Sequence, residues 1–209
     1  MKNLLLVICC LVAATLSAQN TENRTVGTFS KLSVSGSIDV SITQGTGGGI
    51  VVVADTDMMP FVKTEVKDGQ LNVYIDKNNS RKNWGSKVSV AITAAQLSEI
   101  SMAGSGNIAT KGNFNFRDLE VSQAGSGNLN LGGTAADIDI SMAGSGNTNL
   151  ADLSCSSAKV SLAGSGSVKT AAKKSLNVSI AGSGNVCYTS KPDDVQTDIA
   201  GSGNVCACK

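Results

Sequence analysis

The chain contains no histidine. That one absence removes the Ser-His-Asp and Cys-His nucleophile systems, together with every metal site built on imidazole. Aromatic residues are scarce, at 3% of the chain. Ligand clefts are commonly lined by rings, so this scarcity argues against a deep glycan cleft. Neither sign of charge dominates: 17 Lys and Arg stand against 16 Asp and Glu, a net charge of +1 with no basic or acidic block. A nucleic-acid binder needs a concentrated positive patch, and none is written here. Long apolar runs are also missing, apart from residues 4–14. That stretch is too short to span a bilayer as a helix.

Its surroundings give it a different meaning. Met1-Lys2-Asn3 precedes it and the small residue Ala18 follows, which is the layout of a secretory signal peptide. Cleavage is expected after Ala18. Cys9 and Cys10 lie too early, after the bulky Val7 and Ile8, for lipid attachment. The organisation read from the sequence is a signal peptide at 1–18 and a mobile polar leader at 19–25. A β segment at 26–99 and a repeat region at 100–209, continuous with it, complete the chain. The expected location is periplasmic, outer-surface or secreted, with no membrane-spanning segment after signal removal. Oligomeric state is not written in the sequence.

What the chain has in abundance is one pentapeptide, Ala-Gly-Ser-Gly-Asn. It occurs at 103–107, 124–128, 143–147, 163–167 (with Ser167 in place of Asn), 181–185 and 200–204. A spacing near 20 residues is the mark of a stacked-repeat architecture. Each copy follows a period-two alternation such as Ile138-Asp139-Ile140-Ser141-Met142, the pattern of a half-buried strand. The glycines form the corner: Gly104 and Gly106, Gly125 and Gly127, Gly144 and Gly146, Gly164 and Gly166, Gly182 and Gly184, Gly201 and Gly203. Either glycine of a pair can take the positive φ that a sharp bend requires. Each repeat therefore reads as strand, corner, strand and return loop. One repeat cannot bury its own apolar face, whereas stacked repeats share a core. The expected fold is all-β, a right-handed parallel β-helix (β-solenoid) with repeats of about 20 residues, its hand following the general preference of parallel crossovers.

In that register, identical positions align. The inward columns are Ile100, Val121, Ile140, Val160, Val178 and Thr197, and Met102, Gln123, Met142, Leu162, Ile180 and Ile199. Gln123 breaks the second column, and a buried amide there calls for a bulge or an ordered water. Asn107, Asn128, Asn147, Asn185 and Asn204 form an outer ladder, either self-satisfied corner packing or a flat binding surface. Cys187 and Cys206 are 19 residues apart, one repeat, and become outward neighbours and a disulfide candidate. Cys155 lies rungs away and is expected to stay reduced, and Cys206-x-Cys208 is a poor zinc signal.

The segment before the repeats alternates too. Ser35-Gly36-Ser37 looks like a degenerate corner between strands. Met58-Met59-Pro60 points to a turn or one helical turn. Asp68-Gly69 between alternating runs is a hairpin signal. The loop at 76–86 carries Trp84 beside Arg81, Lys82 and the following Lys87, either a contact loop or a cover over one end. The segment is expected to cap one end of the solenoid.

Three features together carry a family resemblance. They are residues 29–45 (Phe-Ser-Lys-Leu-Ser-Val-Ser-Gly-Ser-Ile-Asp-Val-Ser-Ile-Thr-Gln-Gly), residues 67–74 (Lys-Asp-Gly-Gln-Leu-Asn-Val-Tyr) and the repeated Ala-Gly-Ser-Gly. Residues 26–208 resemble the bacterial "putative auto-transporter adhesin, head GIN domain" family. The resemblance implies a secreted or envelope-associated β-helical protein and carries no catalytic residues. An autotransporter adds a C-terminal membrane barrel of amphipathic strands. Here the repeats run almost to Lys209, so export is expected to rely on the signal peptide.

One outward column bears chemistry. Glu99, Glu120 and Asp139 take equivalent places in successive rungs, with Lys159 next. Stacked carboxylates repel unless solvated, protonated or metal-bound. They are candidates for a calcium site (Glu99, Glu120, Asp139) or for a hydrolytic pair (Glu120, Asp139), since retaining pairs sit about 5–5.5 Å apart. The plain alternative is a water-screened stripe, with Lys159 offsetting Asp139. Asp118 and Asp137 make a second aligned pair. Two functions follow: a non-enzymatic adhesin-like or structural scaffold meeting a surface glycan or extracellular protein, and a β-helical carbohydrate-active enzyme. No cofactor is implied.

Overall fold

The computed structural model describes residues 19–76 and 87–208. Residues 1–18, read as a signal peptide, residues 77–86 with Arg81, Lys82 and Trp84, and the terminal Lys209 lie outside the described residues. The strands are β1 (Gln19–Thr25), β2 (Lys31–Ser35), β3 (Ile38–Gln44) and β4 (Gly49–Asp55), then a 3₁₀ turn at Met59–Phe61. β5 (Val62–Lys67), β6 (Gln70–Ile75) and β7 (Val88–Ala94) follow. The repeats supply β8 (Glu99–Gly104), β9 (Asn107–Lys111), β10 (Phe114–Asn115), β11 (Asp118–Gly125), β12 (Asn128–Asn130) and β13 (Gly133–Thr134). They continue through β14 (Asp137–Gly144), β15 (Asn147–Gly164), β16 (Ser167–Gly182), β17 (Asn185–Tyr188), β18 (Asp194–Gly201) and β19 (Asn204–Ala207).

The repeats wind into a β-solenoid of about five turns with roughly 20-residue spacing. On one side β2, β8, β11, β14, the end of β15, the end of β16 and β18 pair in parallel, rung upon rung. Around the corner β3, β9, β12, the starts of β15 and β16, β17 and β19 do the same. A shorter third side joins β10, β13 and the middle of β15. The register is the expected one: Ile100, Val121, Ile140, Val160 and Val178 stack and are almost wholly buried.

The corners explain why both glycines recur. Gly104, Gly125, Gly144, Gly164, Gly182 and Gly201 all have φ between 117° and 137°, so the positive φ belongs to the first glycine of each pair alone. A Cβ on Gly144 would also fall within van der Waals distance of the Gly125 carbonyl one rung below. The second glycine is excluded from substitution by packing. A Cβ on Gly127 would press on the Gly106 carbonyl and the Met102 methyl. Backbone shape and rung-to-rung approach thus demand two different glycines at every turn.

Of the bulge or ordered water expected at Gln123, the bulge does not occur. Gln123 stays in register with Met102 and Met142. Its buried amide donates to the Gly127 carbonyl at 2.6 Å, and its oxygen accepts from the Thr148 hydroxyl at 2.5 Å. Thr148 takes an inward place held by Leu129 and Val168 in the flanking rungs. One polar intrusion is therefore satisfied by a second, with no change of backbone.

The stack extends into the N-terminal segment. β2 and β3 flank a Gly36 corner of φ 108° and form a rung directly beneath β8 and β9. Beneath them lie β6 and β7. Sequence order and spatial order differ here, because the chain passes the β2–β3 rung on its way from β7 to β8. The end of the stack is then covered by antiparallel strands: β5 on β6, β4 on β7 and β1 on β4. The β5–β6 turn places Asp68 at φ 51° and Gly69 at φ 74°, the geometry the hairpin signal demands. The predicted turn at Pro60 is the 3₁₀ segment. Residues 19–25, expected as a mobile leader, are instead the edge strand β1. Arg24 anchors it by donating to the Val62 carbonyl at 2.7 Å and the Thr64 hydroxyl at 3.2 Å.

Candidate functional site

The outer surface of the β8–β11–β14 side is built from straight rows, because every outward position repeats one rung away. A charged row runs Lys31, Glu99, Glu120, Asp139, Lys159, Asn177. Beside it runs a serine row (Ser33, Ser101, Ser122, Ser141, Ser161, Ser179), and beyond that an alanine row from Ala103 to Ala200. The side chains are short and evenly spaced, so the face is flat. A shallow groove of about 530 Å³ follows it past Asp118, Glu120, Asp137, Asp139 and Lys159.

Glu99, Glu120 and Asp139 are brought into one row, as the repeat spacing requires. The row carries its own counter-charges. Lys31 Nζ lies 2.8 Å from Glu99, and Lys159 Nζ lies 3.6 Å from Asp139. The Glu99 carboxylate, through its hydrogen bond and charge, pushes the Lys31 ammonium above its ordinary value. Among the described residues, no three carboxylates or thiols converge as ligands for a cation. Glu120 and Asp139 point outward side by side on an exposed face. Asp118 and Asp137 align in the same way.

Round the corner the asparagine ladder forms as expected over its first rungs. Asn147 donates to Asn128 at 2.9 Å, Asn128 to Asn107 at 2.9 Å, and Asn107 to Asp39 at 2.6 Å. Ser167 interrupts the row of asparagines at the next rung. A second ladder was not anticipated: Asn149 donates to Asn130 at 3.1 Å. Its signal was available, since Asn-Leu-Asn at 128–130 recurs as Asn-Thr-Asn at 147–149. Farther along that row Cys187 pairs with Cys206, their Sγ atoms 3.0 Å apart, within thiol hydrogen-bond reach. Cys155 is a free thiol inside the core, and burial pushes its pKa up to about 11.

A second groove, of about 420 Å³, lies near the covered end between β2 and the β5–β6 hairpin, lined by Ser33, Ser35, Glu65, Lys67 and Tyr74. Partial burial, then the nearby Glu65 charge, push the Tyr74 hydroxyl upward. It gathers one carboxylate, one ammonium and one ring, a mixed polar lining without an activated nucleophile.

Glycine corners, parallel columns and flat polar rows define a β-solenoid. The profile of the family described as "Putative auto-transporter adhesin, head GIN domain" matches residues 28–192, and the chain belongs to that family. A solved structure described as a putative adhesin from Bacteroides fragilis superposes with a TM-score of 0.73 at 21% identity, covering 91% of this chain and 97% of that one. One from Parabacteroides distasonis, described as a putative lipid binding protein, gives 0.52 at 21% identity, with the same coverage of 91% and 97%. At these identities the likeness concerns the fold. No curated protein matches the chain. Among the described residues, no helix is long and apolar enough to cross a membrane.

Proposed function

We propose that this is an exported, non-enzymatic, adhesin-like scaffold that meets a surface glycan or an extracellular protein along its flat β8–β11–β14 face. The observation that carries the reading is the charged, serine and alanine rows in register. Such a face offers an extended partner the same small contact once per rung, and two of its carboxylates, Glu99 and Asp139, are paired with lysines within the face. Catalysis asks for convergence, and the carboxylates stand in line instead. A general acid is kept protonated by burial or by an unpaired like charge. Here the two candidate carboxylates are exposed, and Asp139 already has Lys159 beside it. Family membership supports the adhesin class, and the signal-like residues 1–18 support export.

The test is an array of glycans and matrix proteins probed with the folded chain. Binding is expected, with loss when Ser122→Arg and Ser141→Arg roughen the face and retention when Asn107→Arg alters the other side. Release of reducing sugar from a polysaccharide, abolished by Glu120→Gln, would replace this reading with the enzymatic one. Fractionation of cells checks the export arm independently.

A further inference from the structure

The outward row that carries the second asparagine ladder ends in a pair of thiols. It runs Ala109, Asn130, Asn149, Lys169, Cys187, Cys206, each in register with the next. Side chains of neighbouring rungs touch in this row, as the Asn149–Asn130 bond shows. At its far end the half-buried Cys187 and Cys206 bring their sulfurs to 3.0 Å. Adjacent strands lie about 4.8 Å apart, inside the Cα separation that a disulfide bridges. The other thiols are placed worse. Cys155 is buried elsewhere in the core. Cys208 sits two residues beyond Cys206, about 6.6 Å along an extended chain, at the outer limit for a bridge.

The position gives the pair its purpose. β18 and β19 form the final described rung and pair on one side only. Val195 and Ile199 there are each 39% exposed, in columns that are buried elsewhere. This rung has the least packing to hold it down and the most to gain from a covalent tie.

We propose that Cys187 and Cys206 form a disulfide that fastens the terminal rung to the body of the solenoid, leaving Cys155 and Cys208 as thiols. The bond forms by exchange with a disulfide oxidant, a small molecule or a thiol oxidase. One cysteine thiolate attacks an oxidant sulfur and expels the other as a thiol. The second cysteine thiolate then displaces the remaining oxidant sulfur. The two cysteines are oxidised, and the oxidant leaves as two thiols carrying the two protons.

The experiment equilibrates the purified chain with oxidised glutathione, blocks free thiols and maps peptides without reduction. A Cys187–Cys206 cross-linked peptide is expected, with blocked Cys155 and Cys208. Amide exchange across 194–207 is expected to slow by on the order of 10- to 100-fold on oxidation. Cys206→Ser and, separately, Cys187→Ser should abolish that oxidant-dependent slowing. Four blocked thiols, a bridge that uses Cys208, or a bridge between chains would overturn the assignment. A Cys187–Cys206 bridge with unchanged exchange across 194–207 would overturn the fastening role.

Discussion

At one end of the stack β6 and β7 are covered by β5 and β4, and β4 is covered in turn by β1. At the other end β18 and β19 have a neighbour on one side only. The rungs themselves are alike. Ile180 and Ile199 occupy one column and follow similar alternating runs, yet Ile180 is 1% exposed and Ile199 39%. Burial in this fold is therefore conferred by the next rung and cannot be read from a strand's own pattern. The composition of the open rung fits its position: Thr197 stands where Val178 lies below, and Asp198 where Ser179 lies. The covered end instead requires a change of strand direction, which Asp68 and Gly69 supply.

The largest test of this contrast uses one contact at two heights. Gly144→Ala and Gly201→Ala introduce the same methyl against the carbonyl one rung below, at φ 126° and 132°. In mid-stack the neighbours on both sides hold the corner, so strain and overlap must be borne by the native state. Gly144→Ala is expected to cost about 3 kcal/mol or more. At the open end the last rung can lift away, and Gly201→Ala should cost less than about half as much. Urea unfolding at unchanged m measures both. Equal losses would show that the final rung is as firmly seated as the rest.

Next in size is the shared column. Ile180→Ala should cost about 3 kcal/mol, within the range for buried large-to-small changes, and Ile199→Ala under about 1 kcal/mol. A large cost at Ile199 would mean that something covers the open rung in solution.

The periodic half of the molecule was legible because each rung repeats the same physical demand. Corner glycines, inward columns, the first asparagine ladder and the charged row all follow from one spacing, and pairing places them together. The covered end was legible only in pieces. The Gly36 corner and the Asp68-Gly69 hairpin announce themselves locally. That β6 and β7 stack beneath β2 and β3, while β8 stacks above, depends on long-range pairing that no window of sequence contains. Residues 19–25 read as a leader because they are polar throughout. Their strand state comes from backbone bonds to β4 and from Arg24, which alternation does not record. Gln123 looked like a defect for a similar reason: its partner Thr148 lies 25 residues away, on the neighbouring rung.

The smallest effect bears most directly on what the surface is for. Asn128 donates to Asn107 and accepts from Asn147, so Asn128→Ala removes two exposed amide bonds in mid-stack. Each contributes little net stability, because water replaces it on unfolding. A loss of about 1 kcal/mol is expected. Asn204 stands on the open rung beside Asn185, and Asn204→Ala should cost less than about half of that. Ser167 already interrupts the row without disturbing the rungs around it, so the ladder trims stability and does not set the register. If Asn128→Ala costs nothing, water serves these amides as well as they serve one another, and a partner can take the bonds over at no cost to the fold. If it costs as much as Gly144→Ala, the row is a structural seam, and the search for a binding surface narrows to the serine and carboxylate side.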